Sequence, residues 1–239
     1  MSEASQPPVI YGSEGSPSNP AKFNNQDYAQ LRDNLVRRRQ MFVDRTFPPD
    51  NRSLGDLSDL SSRREGQVKW LRPKILEAQN NSSDPTFFTK GASHLDFGQG
   101  SVGNCWFLAS ISSLTLQKGL LVQVVPMDQT FKTYAGIFHF RFWRFGQWVD
   151  VVIDDYLPTL DNQLLSVYSK NGNEFWASLL EKAYAKYETN SLTLIESTLM
   201  GVKTYNATLA TLLSRHAVDD MFCHELVNFE SLSCQTSSK

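Results

Sequence analysis

The sequence predicts an α+β domain, and three observations predict it. Large apolar side chains concentrate between Phe87 and Lys186. Two stripes of helical period lie in that segment, at residues 105–116 and 174–186. Between them, two runs of alternating character flank the short turn Arg144-Phe145-Gly146-Gln147, the pattern of a β-hairpin.

The elements follow in chain order. Residues 1–25 are rich in Ser, Pro, Asn and Gly and hold too little apolar surface to offset the entropy of ordering, so they read as a flexible leader. From Gln26 to Arg39, Tyr28, Leu31 and Leu35 share helical spacing. The run Arg37-Arg38-Arg39 places cations where a helix C-terminus favours them, and it reads as a solvated helix end. Phe47-Pro48-Pro49 forces extended backbone, and Trp70–Pro73 reads as a second anchored, irregular stretch. Residues 77–85 form a polar surface loop. In 105–116, Phe107, Ile111 and Leu114 fall on one helical face, and Gly119 is a plausible stop. Ile137–Trp143 and Trp148–Ile153 are the hairpin strands, with His139 a sheet residue. Residues 174–186 put Phe175, Trp176, Leu179, Leu180, Ala183 and Tyr184 on one stripe, which predicts a core-facing helix. Beyond Lys186 the chain turns to Thr, Ser and Leu, with faces for one or two helices interrupted at Gly201.

Composition narrows the function. Twenty-three Lys and Arg against 25 Asp and Glu give a net charge of -2 and a pI near 6.1, which points away from nucleic acid and anionic membrane as partners. No apolar run approaches the ~20 residues of an integral membrane segment, and the N-terminus lacks the basic and apolar regions of a signal peptide. Three cysteines, Cys105, Cys223 and Cys234, make a poor disulfide framework and suit a reducing compartment, so a cytosolic location is expected. The Asn-x-Ser/Thr sites at Asn51, Asn80, Asn81 and Asn206 then stay unused.

Chemistry concentrates in Gln99-Gly100-Ser101-Val102-Gly103-Asn104-Cys105-Trp106. Two glycines permit a tight turn, and a helix starting at Cys105 would set the thiol where unpaired N–H groups and the helix dipole favour an anion. That lowers a thiol pKa below its usual value of about 8.5. The Gln99 amide, six residues upstream, could donate to an oxyanion developing beside the sulfur. Nucleophile, helix start and donor amide make an acyl-transfer set. The same residues also fit a buried cysteine beside Trp106 with glycines that only shape a turn.

The string QGSVGNCWFLASISSLT resembles the active-site motif of the calpains, calcium-dependent cysteine endopeptidases. The resemblance runs backward through MFVDRTFPPDNRSLG, WLRP and GASHLD, and forward through VVPMDQTF, YAGIFHFRFWRFGQWVDVVIDDYLP and NEFWASLLEKAYAK, covering roughly residues 28–186. It implies a papain-like cysteine protease core in two subdomains, with residues 26–186 forming the first, nucleophile-bearing one. Cys105 would be the nucleophile and Gln99 the oxyanion-hole donor. A calcium ion would be held by the carboxylates of Asp96 and Glu174 and the carbonyls of Thr89 and Gly91, a hard oxygen set suited to Ca²⁺. Such binding would tie the loop before Cys105 to the start of the 174–186 helix, as a calcium switch. The family also implies protein substrates, with another calpain chain or a small subunit as partner.

Two departures stand out. Asn104 occupies a position where many calpains have Asp; it removes a charge but can still hydrogen-bond the turn. A cysteine protease also needs an imidazole and a group to orient it. In calpains these lie in a Gly-His-Ala and an Asn-Pro-Trp-Gly string, and neither occurs here. Of His94, His139, His216 and His224, only His216 precedes an alanine, after Arg215 and too near Cys105 for the family spacing. Cys223, His224, His216 and Cys234 match no standard zinc spacing. Residues 187–239 depart from the family pattern and read as a divergent tail in place of the second subdomain. The alternative to an endopeptidase is therefore a non-catalytic regulatory fragment.

Overall fold

The structure, a computed structural model, describes residues 12–54, 67–80, 83–89, 97, 98, 100, 105–144, 146–170 and 173–192, without the side chains of 105, 106 and 189–192. Its centre is the hairpin of β4 (Ile137–Arg144) and β5 (Gln147–Asp154), paired antiparallel from Ile137 opposite Asp154 to Arg144 opposite Gln147. Gly146, at φ 84°, takes the left-handed conformation that the tight turn requires. One face of the hairpin carries Phe138, Phe140, Phe142, Val149, Val151 and Ile153 into the main core. The other face carries Ile137 and Val152, with Ala135 and Tyr28, into a second, smaller cluster. Both faces are thus covered, which is why the β5 burial pattern does not alternate.

Helix α1 (Tyr28–Arg38) covers that second face. Asp27 caps it by accepting from the Gln30 N–H at 2.9 Å, and Arg39 ends it at φ 52°. Arg37 and Arg38 fill the last turn, as the charge pattern predicts. The main core is closed from the opposite side by α3 (Cys105–Leu116), α4 (Lys118–Val124) and α5 (Trp176–Leu192). Phe107, Ile111 and Leu114 are buried, as are all six residues of the predicted α5 stripe. Gly119 is not a helix stop: α3 ends at Leu116, and Gly119 stands within α4 with open space around it.

Three smaller pieces differ from the sequence reading. Residues 12–25, assigned to the leader by composition, include β1 (Ala21–Lys22), which pairs parallel with β5, and Gly15, whose carbonyl accepts from the Trp148 N–H at 2.7 Å. Backbone bonding to the open edge of the hairpin anchors a segment poor in apolar side chains, and Phe23 adds a ring contact with Tyr187 at 5.1 Å. Trp70–Pro73 is regular: β2 (Lys69–Leu71) pairs antiparallel with β6 (Leu157–Leu160), itself paired with β7 (Gln163–Leu164). Pro73 then starts α2 (Pro73–Gln79), which takes the first residues of the expected 77–85 loop and buries Leu76 and Glu77. Finally, α5 begins two residues later than its stripe and continues past Lys186 to Leu192. Residues 193–239 lie outside the described residues.

Candidate active site

The segment before Cys105 is seated by a two-stranded ladder. β3 (Phe97–Gly98) pairs antiparallel with β8 (Tyr168–Ser169). A Cβ on Gly98 would lie 2.5 Å from Cζ of Tyr168, and one on Gly100 would lie 2.2 Å from the Leu165 carbonyl oxygen. The residues on either side of Gln99 are therefore pressed against residues 165–168 with no room for a side chain. Gln99 itself and residues 101–104, Asn104 included, lie outside the described residues. α3 then starts at Cys105, so its first N–H groups have no partner within the helix. The helix is held from below by Phe107, whose ring centroid is 6.1 Å from that of Tyr184 on α5. A cleft of about 500 Å³ borders Gly100, lined by Glu77, Leu164, Tyr168, Lys170 and Phe175 among others.

Two of the four residues that the resemblance assigns to calcium come together. Thr86 forms a parallel bridge with Glu174, the Phe175 N–H donates to the Thr86 carbonyl at 3.0 Å, and the Trp176 N–H to that of Phe87 at 3.1 Å. Glu174 is buried, and its Oε1 accepts from the Thr89 N–H. Trp176 packs between this loop and β3, with centroids 5.5 Å from Phe88 and 5.3 Å from Phe97. The Glu174 carboxylate is a hard oxygen ligand of the kind Ca²⁺ takes, but the group it meets here is the Thr89 N–H, a donor and not an oxygen ligand. Gly91 and Asp96 lie outside the described residues, and among the described residues no cluster of three or more His, Cys, Asp and Glu could hold a metal.

His139 is a structural residue. Its ring stacks on Tyr28 at 3.8 Å, Nδ1 lies 2.7 Å from Asp150 Oδ1, and Nε2 lies 3.3 Å from Asp128 Oδ1. Burial opposes its charge, yet the two carboxylates outweigh burial and raise its pKa above the ordinary imidazole value. His94, His216 and His224 lie outside the described residues, as do Cys223 and Cys234.

The sequence reading missed the polar groups that α5 carries into the interior. Ser178 Oγ donates to the Val167 carbonyl at 2.6 Å, and Glu181 Oε2 accepts from the Val167 N–H at 2.7 Å. Lys182 Nζ donates to Asp154 and to the Tyr156 carbonyl, and Lys186 Nζ to Asp44 at 2.6 Å. Ser178, Lys182 and Lys186 recur every fourth residue, a polar stripe that could have marked a second inward face.

Comparison with known proteins agrees with this architecture. A family profile described as "Calpain family cysteine protease" matches residues 42–234, running beyond Lys186, where the sequence resemblance fades. The chain is 49% identical over 175 residues to the calpain-2 catalytic subunit of Bos taurus, and 51% to the calpain-1 catalytic subunit of that species. It is 50% identical to the human calpain-1 catalytic subunit over the same length. In each case 72% of this chain and 24% of the relative are covered, so the chain spans about a quarter of those proteins. With an α+β core ordered around a helix that begins at a cysteine, and half-identity over most of its length, the chain belongs to the calpain family of cysteine proteases.

Proposed function

We propose that this chain supplies the nucleophile-bearing part of a calcium-dependent, calpain-type endopeptidase acting on intracellular proteins in the cytosol. The observation that carries the reading is the start of α3 at Cys105, with Phe97 and Gly98 upstream of it paired to β8. In the proposed reaction the Cys105 thiolate, favoured by the helix start, attacks the scissile carbonyl carbon; a C–S bond forms and the C=O π pair moves to oxygen. The Gln99 amide donates to that oxyanion. Collapse expels the amine only if it receives a proton, which is the task of an imidazole. The family's histidine and asparagine strings are absent from these 239 residues, so a further polypeptide segment has to deliver both groups.

Glu174, Asp96 and the carbonyls of Thr89 and Gly91 would hold calcium, whose role is to bind oxygen ligands from two segments at once. This chain's own part is to hold the 86–89 loop against the start of α5 through Glu174 and Trp176. The absence of the imidazole string favours a second reading, in which the polypeptide is inactive by itself and associates with another calpain chain or a small subunit.

The test incubates the 239-residue chain, with and without millimolar calcium, with a fluorogenic peptide and with a thiol-directed epoxide. Cys105→Ala is the control. The expected result is calcium-dependent labelling of Cys105 without turnover. Calcium-dependent turnover lost in Cys105→Ala would show that the chain holds its own base, and His216 is then the first residue to replace. No labelling under either condition overturns Cys105 as an activated nucleophile.

A further inference from the structure

Both neighbours of Gln99 rest on one short piece of backbone, residues 165–168, through Gly98 on the Tyr168 ring and Gly100 on the Leu165 and Ser166 carbonyls. That piece joins β7 to β8, and only Tyr168 of the four belongs to a strand. Val167, fully buried, makes its two backbone hydrogen bonds to side chains of α5: its N–H to Glu181 and its carbonyl to Ser178. Leu165 is held at the other end by its N–H bond to the Pro158 carbonyl, 3.1 Å. α5 thus grips the support of the oxyanion donor from one turn to the next, on the same helix whose first residue contacts Phe88 and Phe97.

We propose that Ser178 and Glu181 are positioning residues for Gln99: by clamping Val167 from both sides they seat residues 165–168 beneath Gly98 and Gly100 and so set where the Gln99 amide stands relative to Cys105. The proposal rests on the reading of Gln99 and Cys105 given above. Removing the Glu181 carboxylate leaves the buried Val167 N–H without its acceptor, and the backbone under Gly100 moves to recover one. Removing Ser178 Oγ takes away the only donor that α5 offers the Val167 carbonyl among the described residues.

The test compares two probes on the 239-residue chain in calcium. Iodoacetamide alkylation of Cys105 reports the thiol alone. A peptide aldehyde reports thiol and oxyanion donor together: sulfur bonds to the aldehyde carbon, and the carbonyl oxygen takes the electron pair and a proton from water, giving a hemithioacetal. Glu181→Ala is expected to weaken the aldehyde adduct about tenfold or more, toward the loss seen when an oxyanion donor is removed, with alkylation unchanged. Glu181→Gln, which keeps an oxygen acceptor, restores binding. Glu181→Ala added to Gln99→Ala costs nothing further, because Glu181 acts only through that amide. Near-UV circular dichroism confirms folding, and if Glu181→Ala does not fold, Ser178→Ala carries the same comparison. Aldehyde binding unchanged in the folded variant, or fully additive losses in the double variant, overturns the proposal. A wild-type chain that alkylates but binds no aldehyde overturns the assignment of Gln99 itself, and the positioning role falls with it.

Discussion

At the scale of single residues, His139 shows how an ordinary sheet position acquires a pH dependence. The imidazole is enclosed by Tyr28 from α1, Asp150 from β5 and Asp128 from the segment before β4, with Arg141 Nε 3.7 Å from Asp150. Burial opposes protonation, but the carboxylates hold the folded pKa above the unfolded value. The hydrogen bond with His139 in turn holds the Asp128 carboxyl below its ordinary range, and Tyr28, desolvated against the ring, is pushed up to about 12. A raised imidazole pKa contributes stability that is fully present below about pH 6.5 and is lost as pH rises through the folded value. The depressed Asp128 pKa contributes above about pH 3.9 and is lost as pH falls. Urea midpoints are therefore expected to be highest between those limits and to fall toward pH 8. In His139→Gln the decline above pH 6.5 should disappear; a decline that persists would assign the effect to another group.

At the scale of elements, α5 is the member that holds the others. Its apolar stripe packs on the hairpin, and its polar stripe reaches β5 and the 40–47 segment. Lys186 is fully buried and donates to Asp44, to the Gln26 side chain and to the Val152 carbonyl, each at 2.6 Å. Burial lowers the pKa of Lys186 and of Lys182, against the pull of Asp44 and Asp154. Nearby, Arg72 and Tyr134 both bond Asp155, whose carboxyl burial raises above its ordinary value. Such pairs add little net stability, but breaking one strands a charge. Lys186→Met is expected to cost about 3–5 kcal/mol by urea unfolding, and Lys186→Met with Asp44→Asn distinctly less. Equal costs would mean that Asp44 finds another cation. α5 was legible as a helix because its apolar residues recur locally. Its polar stripe was not, because the partner of Lys186 is 142 residues away in sequence.

For the whole molecule, the calcium reading makes a thermodynamic demand. A ligand that binds only the folded chain stabilises it by mass action, about 2.7 kcal/mol at a hundredfold excess over its Kd. Millimolar calcium is expected to raise the melting temperature of the chain, and Glu174→Gln to remove that rise while leaving the calcium-free melting temperature close to wild type. A calcium shift that survives Glu174→Gln would move the site elsewhere. The chain spans about a quarter of its calpain relatives, and Leu116, Val122 and Met127, on and beside α3 and α4, are exposed large apolar side chains.

The sequence by itself determined the α+β class, the α3 and α5 stripes, the hairpin, and, through its motif, Cys105 and Gln99 as the residues to ask about. Each of these is carried by neighbours within one or two turns, or by a contiguous string. What only the tertiary structure decided is everything made of long-range backbone and buried charge. The two-residue strands β1, β3, β7 and β8 are too short to show a period. The glycines at 98 and 100 are explained by residues 165–168, and the meeting of Thr89 with Glu174 joins groups 85 positions apart. Local sequence sets which conformations are cheap; the core, closing over groups far apart in the chain, decides which polar atoms must find one another because water no longer can.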